Sequence, residues 1–380
     1  MTQIYSKYPF FLIVLGITFA PEFKHLTVRK QLLITVFSLF ALLSLPMLSM
    51  AEHEEHGHKK EEGKLDIKGE IFGHIRDAHD WHITSFNGKH ITIPLPVMVY
   101  SPSKGFSLFS SSRFDHGHAE YNGYTLNHEN GKIEATDGSK LYDISITKNV
   151  VSMLLSILLM LFLFTRIAKK YKSGIGRTSA PKGLQNGVEA VIGFIKDSVA
   201  VPNMGKDKYM KYMPFLLTLF FFIWINNMFG MIPFPPGAVN LTGNIAVTLV
   251  LALVFFVIML ANSNKHFWGH MFNPPGVPLA IKFILVPIEI ISNLVIKPAA
   301  LAIRLFANIF AGHTIILSVI LLIFIFGSLS KVAGIAFLPV SIGFTVFMFF
   351  LELLVAAIQA FIFTNLAAVF IGQAIEEPHH

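Results

Sequence analysis

From residue 146 onward the chain is a series of long apolar runs separated by short polar turns. The first run, Ile146 to Ile167, ends in RIAKKYK, a basic flank of the kind that stays in the cytoplasm. Residues 182–201 have a different pattern. Leu184, Val188, Val191, Ile192, Ile195 and Val199 recur at helical spacing, while Lys182, Gln185, Glu189, Lys196 and Asp197 occupy the other faces. That predicts an amphipathic helix in the cytoplasmic interface. Further spans are predicted over 212–231 and 244–262, joined by IPFPPGAVNLTG, a turn without Lys or Arg. NKHFWGHMFNPPGVP reads as a second turn.

The last two runs, 279–327 and 332–375, are far longer than the roughly 20 residues a span needs. The first would reach about 75 Å as one helix. Only Pro287 and Pro298 interrupt it, and isolated prolines kink membrane helices without ending them. Neither run has a mid-segment turn, so each is read as one long tilted helix rather than a pair of spans. The GSLSKVAG turn at 327–334 joins them into a hairpin. The predicted fold is an all-α polytopic membrane protein with about five membrane passes over 146–375 and a cytoplasmic tail at 376–380. The C-terminus then shares a side with the basic loop at 166–211.

The chain before residue 146 reads differently. Lys24, Arg29 and Lys30 precede an apolar stretch, Gln31 to Leu45, and the small-residue site Ser49-Met50-Ala51. This is the pattern of a signal peptide, with an uncleaved span as the alternative. A further apolar run, Phe10 to Ala20, lies upstream and points to a start codon assigned too early. Residues 1–51 are therefore treated as a signal region. Residues 52–145 are predicted to form a small β-rich extramembrane domain in the periplasm. HITSF, KHITIPLPVMVY, GYTLN and GKIEA are its strand-like runs. His53, His56 and His58 could ligate zinc, but a solvated tail is favoured because His-rich tracts are only a compositional signal. His116 and His118 are read the same way.

Composition sharpens this picture. Hydrophobic residues make up 53% and charged residues 14%, against roughly 25% charged in soluble domains. Much of the net charge of +7 lies between Arg166 and Lys211, which reads as a cytoplasmic loop rather than a nucleic-acid surface. Cysteine is absent, which excludes disulfides and thiol chemistry. No metal or cofactor is expected.

Ionisable side chains in hydrocarbon are costly and are functional candidates for that reason. The first long run contains Lys282, Glu289, Asn293, Lys297, Arg304, Asn308 and His313. Lys282, near a helix end, is read as snorkelling. At roughly 100° per residue, Glu289, Asn293, Lys297, Arg304 and Asn308 form one polar stripe, with His313 opposite Arg304. The second run contributes Glu352 and Gln359, on one face. In a hairpin, residues equidistant from the turn meet. That proposes two pairs, Arg304 with Gln359 and His313 with Glu352. A straight first helix cannot point both Arg304 and His313 at the same partner, so either it bends or the pairs are loose. An imidazole beside an acid makes a proton relay. An arginine, which does not deprotonate, makes a fixed charge.

KPAALAIRLFANIFAGH at 297–313, LELLVAAIQAFIFTNL at 351–366 and the earlier WINNMFGMIPF resemble the a subunit of the F-type ATP synthase membrane sector. The resemblance covers roughly residues 146–375. AHDWHI and IPLPVMVYS look like the N-terminal extension of Bacteroidetes-type members. The resemblance implies a proton-channel subunit, not an enzyme on its own, in a bacterial inner membrane. Its implied partners are a c-subunit ring, a b-subunit peripheral stalk and the rest of the synthase. Arg304 then falls on the family's essential arginine, between two offset half-channels. His313 and Glu352 fall on the histidine and acid of one half-channel, in the mitochondrial-type arrangement. Gln359 and Asn308 match polar positions near the arginine. Glu289 matches the acid of the cytoplasmic exit, one residue further from Arg304 than the usual pattern. The chain lacks a G-x-x-x-x-G-K-[ST] loop, so nucleotide chemistry is assigned to other subunits. Protons are favoured over sodium, because an imidazole is a poor sodium ligand. On the residues alone, the alternatives are a secondary ion-coupled transporter with Arg304 as counter-ion, or a structural anchor.

Overall fold

The computed structural model describes residues 77–376, apart from 87–88, 118, 128–130, 177, 233–236, 238 and 240. The signal region, the question of the start codon, and His53, His56, His58 and His118 lie outside the described residues, as does the tail from 377.

The N-terminal unit is built from seven short antiparallel strands. β1 (Asp80–Phe86) pairs with β2 (Lys89–Pro94). β3 (Pro96–Ser101) is the centre of a three-stranded sheet, between β4 (Gly105–Ser110) and β7 (Tyr142–Asp143). β5 (Tyr124–Leu126) pairs with β6 (Ile133–Ala135). Alternation along β3 sends Val97 and Val99 into a core with Phe114, Tyr124 and Ile133. The four strand-like runs all lie in strands. β4 has too many Ser and Gly in GFSLFS to stand out by composition. It forms because every residue of β3 pairs with one of its own.

This unit is fixed to α1 (Lys148–Lys172), the first membrane helix among the described residues. Ile144 N and Ile146 N donate to Met98 O and Pro96 O, so the β3 ladder runs almost into the helix. Asp77 Oδ1 then accepts from Asn149 N at 3.2 Å, satisfying an amide in the open first turn of α1. Beside it, His79 Nε2 and Asp143 Oδ2 lie 2.8 Å apart in a largely buried ion pair.

The remainder is all helix: α2 (Leu184–Ile195), α3 (Val201–Met231), α4 (Ile245–Ala261), α5 (Lys265–Phe272), α6 (Leu279–Ile291), α7 (Lys297–Leu329) and α8 (Lys331–Ile375). Among the described residues, four helical stretches are long and apolar enough to cross a membrane, and five if α4 and α5 count as one bent span. The chain is therefore a polytopic, mostly helical membrane protein with a small strand-containing N-terminal region. Two expectations change. The stretches at 182–201 and 212–231 form one continuous helical run, broken only by left-handed Gly205 (φ 76°). The HFWGHMF part of the predicted second turn is the helix α5, set 103° to α4.

α6 and α7 are likewise continuous, joined through a π-helical turn at Ser292–Ile296. Pro298 explains its place. Proline has no N–H for the carbonyl four residues back, and its ring crowds that carbonyl. A π turn takes one residue more per hydrogen-bonded loop than an α turn.

The turn of the final hairpin is shorter than predicted, with Ser330 alone in extended conformation between α7 and α8. The helices then run side by side. Phe326 packs on Phe337, with ring centroids 4.6 Å apart, and Ser341 Oγ donates to Val319 O at 2.9 Å. The main core lies at the other end of the hairpin. There Leu301, Ala302, Leu305, Ala360, Phe363, Ala367, Ala368 and Ile371 pack against α1, α3 and α4. Asn227 Nδ2 donates to Ala356 O at 3.3 Å and so ties α3 to α8.

Candidate functional site in the terminal hairpin

His313 on α7 and Glu352 on α8 meet across the hairpin, with Nδ1 and Oε1 3.0 Å apart. Glu352 is 5% exposed and His313 22%. Two glycines make room for them. A Cβ on Gly312 would stand 3.2 Å from Glu352 Oε1, and one on Gly230 of α3 would stand 3.9 Å from His313 Cε1. The carboxylate is thus buried beside a titratable ring, with only backbone on one flank. Among the described residues His313 is the one hydrogen-bond partner of Glu352.

The second expected pair does not form. Gln359 is buried, whereas Arg304 is exposed, and no hydrogen bond joins them. The reason is helical phase. α7 is unbroken from Lys297 to Leu329, so nine residues turn it through about half a revolution. Once His313 faces α8, Arg304 must face away. The buried face carries Leu301, Ala302, Leu305 and Ile309. The opposite face carries Ala300, Ile303, Arg304, Ala307, Asn308 and Ala311, all exposed. Among the described residues Arg304 makes no hydrogen bond and no ion pair.

The expected stripe is also divided. Arg304 and Asn308 share the exposed face, but Glu289, Asn293 and Lys297 are half-buried. Glu289 precedes the π turn and Asn293 lies within it, whereas Lys297 already belongs to α7. The residues of the π turn advance the helix by less than 100° each, so the phase computed for a pure α-helix slips there. Lys297 sits over the Phe370 ring, with Nζ 4.9 Å from its centroid. Glu289 Oε1 lies 3.8 Å from His270 Nδ1 on α5. Lys282 reaches Asn273 Oδ1 at the end of α5.

Sequence reasoning missed His270. The signal was present, since His266 and His270 stand four apart and Phe267 and Met271 repeat that spacing one position on. It also gave no role to Asn227, which accepts from Thr242 Oγ1 at 2.6 Å while bonding α8. No group of three or more His, Cys, Asp or Glu side chains that could hold a metal occurs among the described residues.

These elements define a class: a helical membrane protein whose terminal hairpin buries one polar pair and presents a lone arginine on an apolar outer face. The chain belongs to the ATP synthase A chain family, whose model matches residues 150–372. A second model, described as a domain of unknown function (DUF8433), matches residues 70–151. The chain is 44% identical to ATP synthase subunit a of Chlorobium phaeobacteroides over 236 residues, 61% of this chain and 66% of the relative. It is 41% identical to the subunit of Chloroherpeton thalassium over 244 residues, 63% of this chain and 69% of that one. With the Myxococcus xanthus subunit it shares 39% over 248 residues, 63% of this chain and 75% of that one. The chain thus spans about two thirds of the length of the first of these relatives. Membership does not favour the secondary-transporter alternative.

Proposed function

We propose that this chain is the proton-channel a subunit of an F-type ATP synthase, with Arg304 separating two half-channels. The observation that carries the reading is the division of labour in the hairpin. His313 and Glu352 are paired inside it, while Arg304 stands unpaired outside it. An unpaired cation in hydrocarbon costs several kcal/mol. A carboxylate on a partner that moves past this face offsets that cost, and the exposed alanines around Arg304 let a partner helix approach closely. A ring of c subunits is that partner.

The mechanism is electrostatic. A ring carboxylate must be ionised to pass Arg304 and neutral to enter lipid. Arg304 keeps its own proton and so blocks a direct leak between the channels. Glu352 and His313 deliver protons from the periplasmic side, and Glu289 receives them on the cytoplasmic side. Asn308 and Gln359 supply polar contacts near the arginine. Rotation follows from the gradient, and nucleotide chemistry resides in other subunits, so the chain is not catalytic alone. The β-rich unit at 52–145 lies in the periplasm, the C-terminus in the cytoplasm, and the chain sits in the bacterial inner membrane after loss of a signal peptide. A b-subunit stalk completes its contacts. The test is Arg304→Ala in inverted membrane vesicles. ATP-driven proton pumping is lost; normal coupled pumping refutes the reading.

A further inference from the structure

A second imidazole–carboxylate pair sits at the far end of the bundle, on the helix that hydropathy reads as a turn. α5 is fastened at both ends. At its start, Asn264 N and Nδ2 donate to Ala374 O and Ile375 O of α8, at 2.8 and 2.9 Å. Trp268 Nε1 donates to Ser263 Oγ at 2.9 Å. At its end, Lys282 of α6 donates to Asn273 Oδ1. Between these anchors His270 Nδ1 lies 3.8 Å from Glu289 Oε1. His270 is 53% exposed and Glu289 28%, so the ring joins a half-buried acid to solvent.

Other charged groups surround the pair. α5 carries Lys265 and His266, the latter with its ring centroid 6.3 Å from that of His270. α6 carries Lys282, and α7 carries Lys297, which interacts electrostatically with Glu289. Glu376 follows the end of α8, and Lys208 of α3 holds the Ile375 carbonyl. Glu289 is the one carboxylate facing α5 from α6, and His270 the one imidazole within ion-pair distance of it.

We propose that His270 is the terminal proton carrier of the cytoplasmic half-channel, exchanging protons between Glu289 and cytoplasmic water. The inference rests on the proposed reading of the chain as a proton-channel subunit. In the direction of synthesis the Glu289 carboxyl gives its proton to neutral His270, leaving a carboxylate and an imidazolium. The imidazolium then releases that proton to water, which restores neutral His270, and the Glu289 carboxylate regains its proton from the next ring carboxyl that arrives. ATP-driven pumping runs the same steps in reverse. An imidazole suits this post because its ordinary pKa lies close to cytoplasmic pH. Glu352 and His313 place the same chemistry at the other side of Arg304, so each half-channel has one acid and one ring.

The experiment uses the complete synthase in inverted vesicles, where the cytoplasmic face looks outward and the external buffer sets its pH. ATP-driven acidification is recorded from pH 6 to 9 for wild type, His270→Gln, His270→Ala and Arg304→Ala, with the amount of chain in the membrane measured for each. His270→Gln lowers the rate on the order of tenfold at alkaline pH. It also removes the imidazole-like step from the pH profile, and added imidazole restores part of the rate to His270→Ala. A wild-type rate and profile in His270→Gln overturns the proposal. So does a uniform loss with an unchanged profile and no rescue, which marks a packing role. Should Arg304→Ala pump normally, the underlying reading fails; should it stop pumping while His270→Gln is unaffected, only the role of His270 fails.

Discussion

The N-terminal unit and the terminal hairpin each contain a histidine held against a carboxylate at hydrogen-bond distance, 2.8 Å for His79 and Asp143 and 3.0 Å for His313 and Glu352. Their surroundings differ. Asp143 is held on its other oxygen by Ser145 N at 2.9 Å, and the ladder around it is closed by backbone bonds. Among the described residues Glu352 has one hydrogen-bond partner, and it has a glycine on its flank. A pair whose lone pairs are filled by rigid backbone is a clasp. A pair with spare acceptor sites, and a glycine on one flank, can take up and release a proton.

The comparison can be broken by mutation, and the largest effect belongs to the hairpin. Arg304→Lys keeps the charge but loses the planar fork and its weaker hydration, and ATP-driven pumping in vesicles falls by about a hundredfold or more, a cost of several kcal/mol. Next comes the relay. Replacing His313 and Glu352 together by leucine slows pumping by about ten- to a hundredfold while the chain still accumulates in the membrane. Unchanged flux would remove the pair from the path.

His79→Ala has the opposite profile. It destabilises the N-terminal unit by about 1–3 kcal/mol and leaves pumping near wild type; limited proteolysis of intact membranes reads the first effect. Its pH dependence follows from the charges. Burial disfavours the His79 cation, but the hydrogen bond and charge of Asp143 outweigh burial and hold its pKa above the ordinary value. Burial pushes Asp143 up, and His79 with Ser145 more than reverses that. The raised histidine stabilises fully below about pH 6.5 and loses its contribution as pH rises through its folded value. The lowered aspartate loses its own only in acid, below about pH 4. The clasp therefore loosens on the alkaline side, and proteolysis within 77–147 accelerates from pH 6 to 9 in wild type but shows no such step in His79→Ala. The smallest effect is that of Gly312→Ala. Its Cβ would stand 3.2 Å from Glu352 Oε1, so the carboxylate shifts by a few tenths of an ångström, and pumping slows about twofold.

Much of this was legible in the sequence for definite reasons. The two long helices follow from uninterrupted hydropathy, and the meeting of His313 with Glu352 follows from their equal distance from the turn. Pairing Arg304 with Gln359 failed because equal distance fixes height along a hairpin but not rotation. His313 and Arg304 stand half a revolution apart, and only one of them can face α8. The single stripe failed for Glu289 and Asn293 at the π turn, since a hydropathy pattern holds no record of which carbonyl an amide will choose, and for Lys297 because its ammonium lies over the Phe370 ring. α5 escaped because eight residues ringed by Asn, Gly and Pro look like a loop until the Asn264 bonds to the end of α8 are known. The uncovered character of the hairpin was equally hidden. Its most apolar window is 6% buried, against 56% in the 184–231 run, although both are apolar.

The cap that Asp77 places on α1 has a consequence for biogenesis. The carboxylate is translated 72 residues before the amide that it accepts. The strands from β1 to β7 must therefore be folded on the same face of the bilayer as the start of α1 for the bond to close. The bond can therefore close as soon as this unit has folded against the start of α1, before α3 or the hairpin has been made.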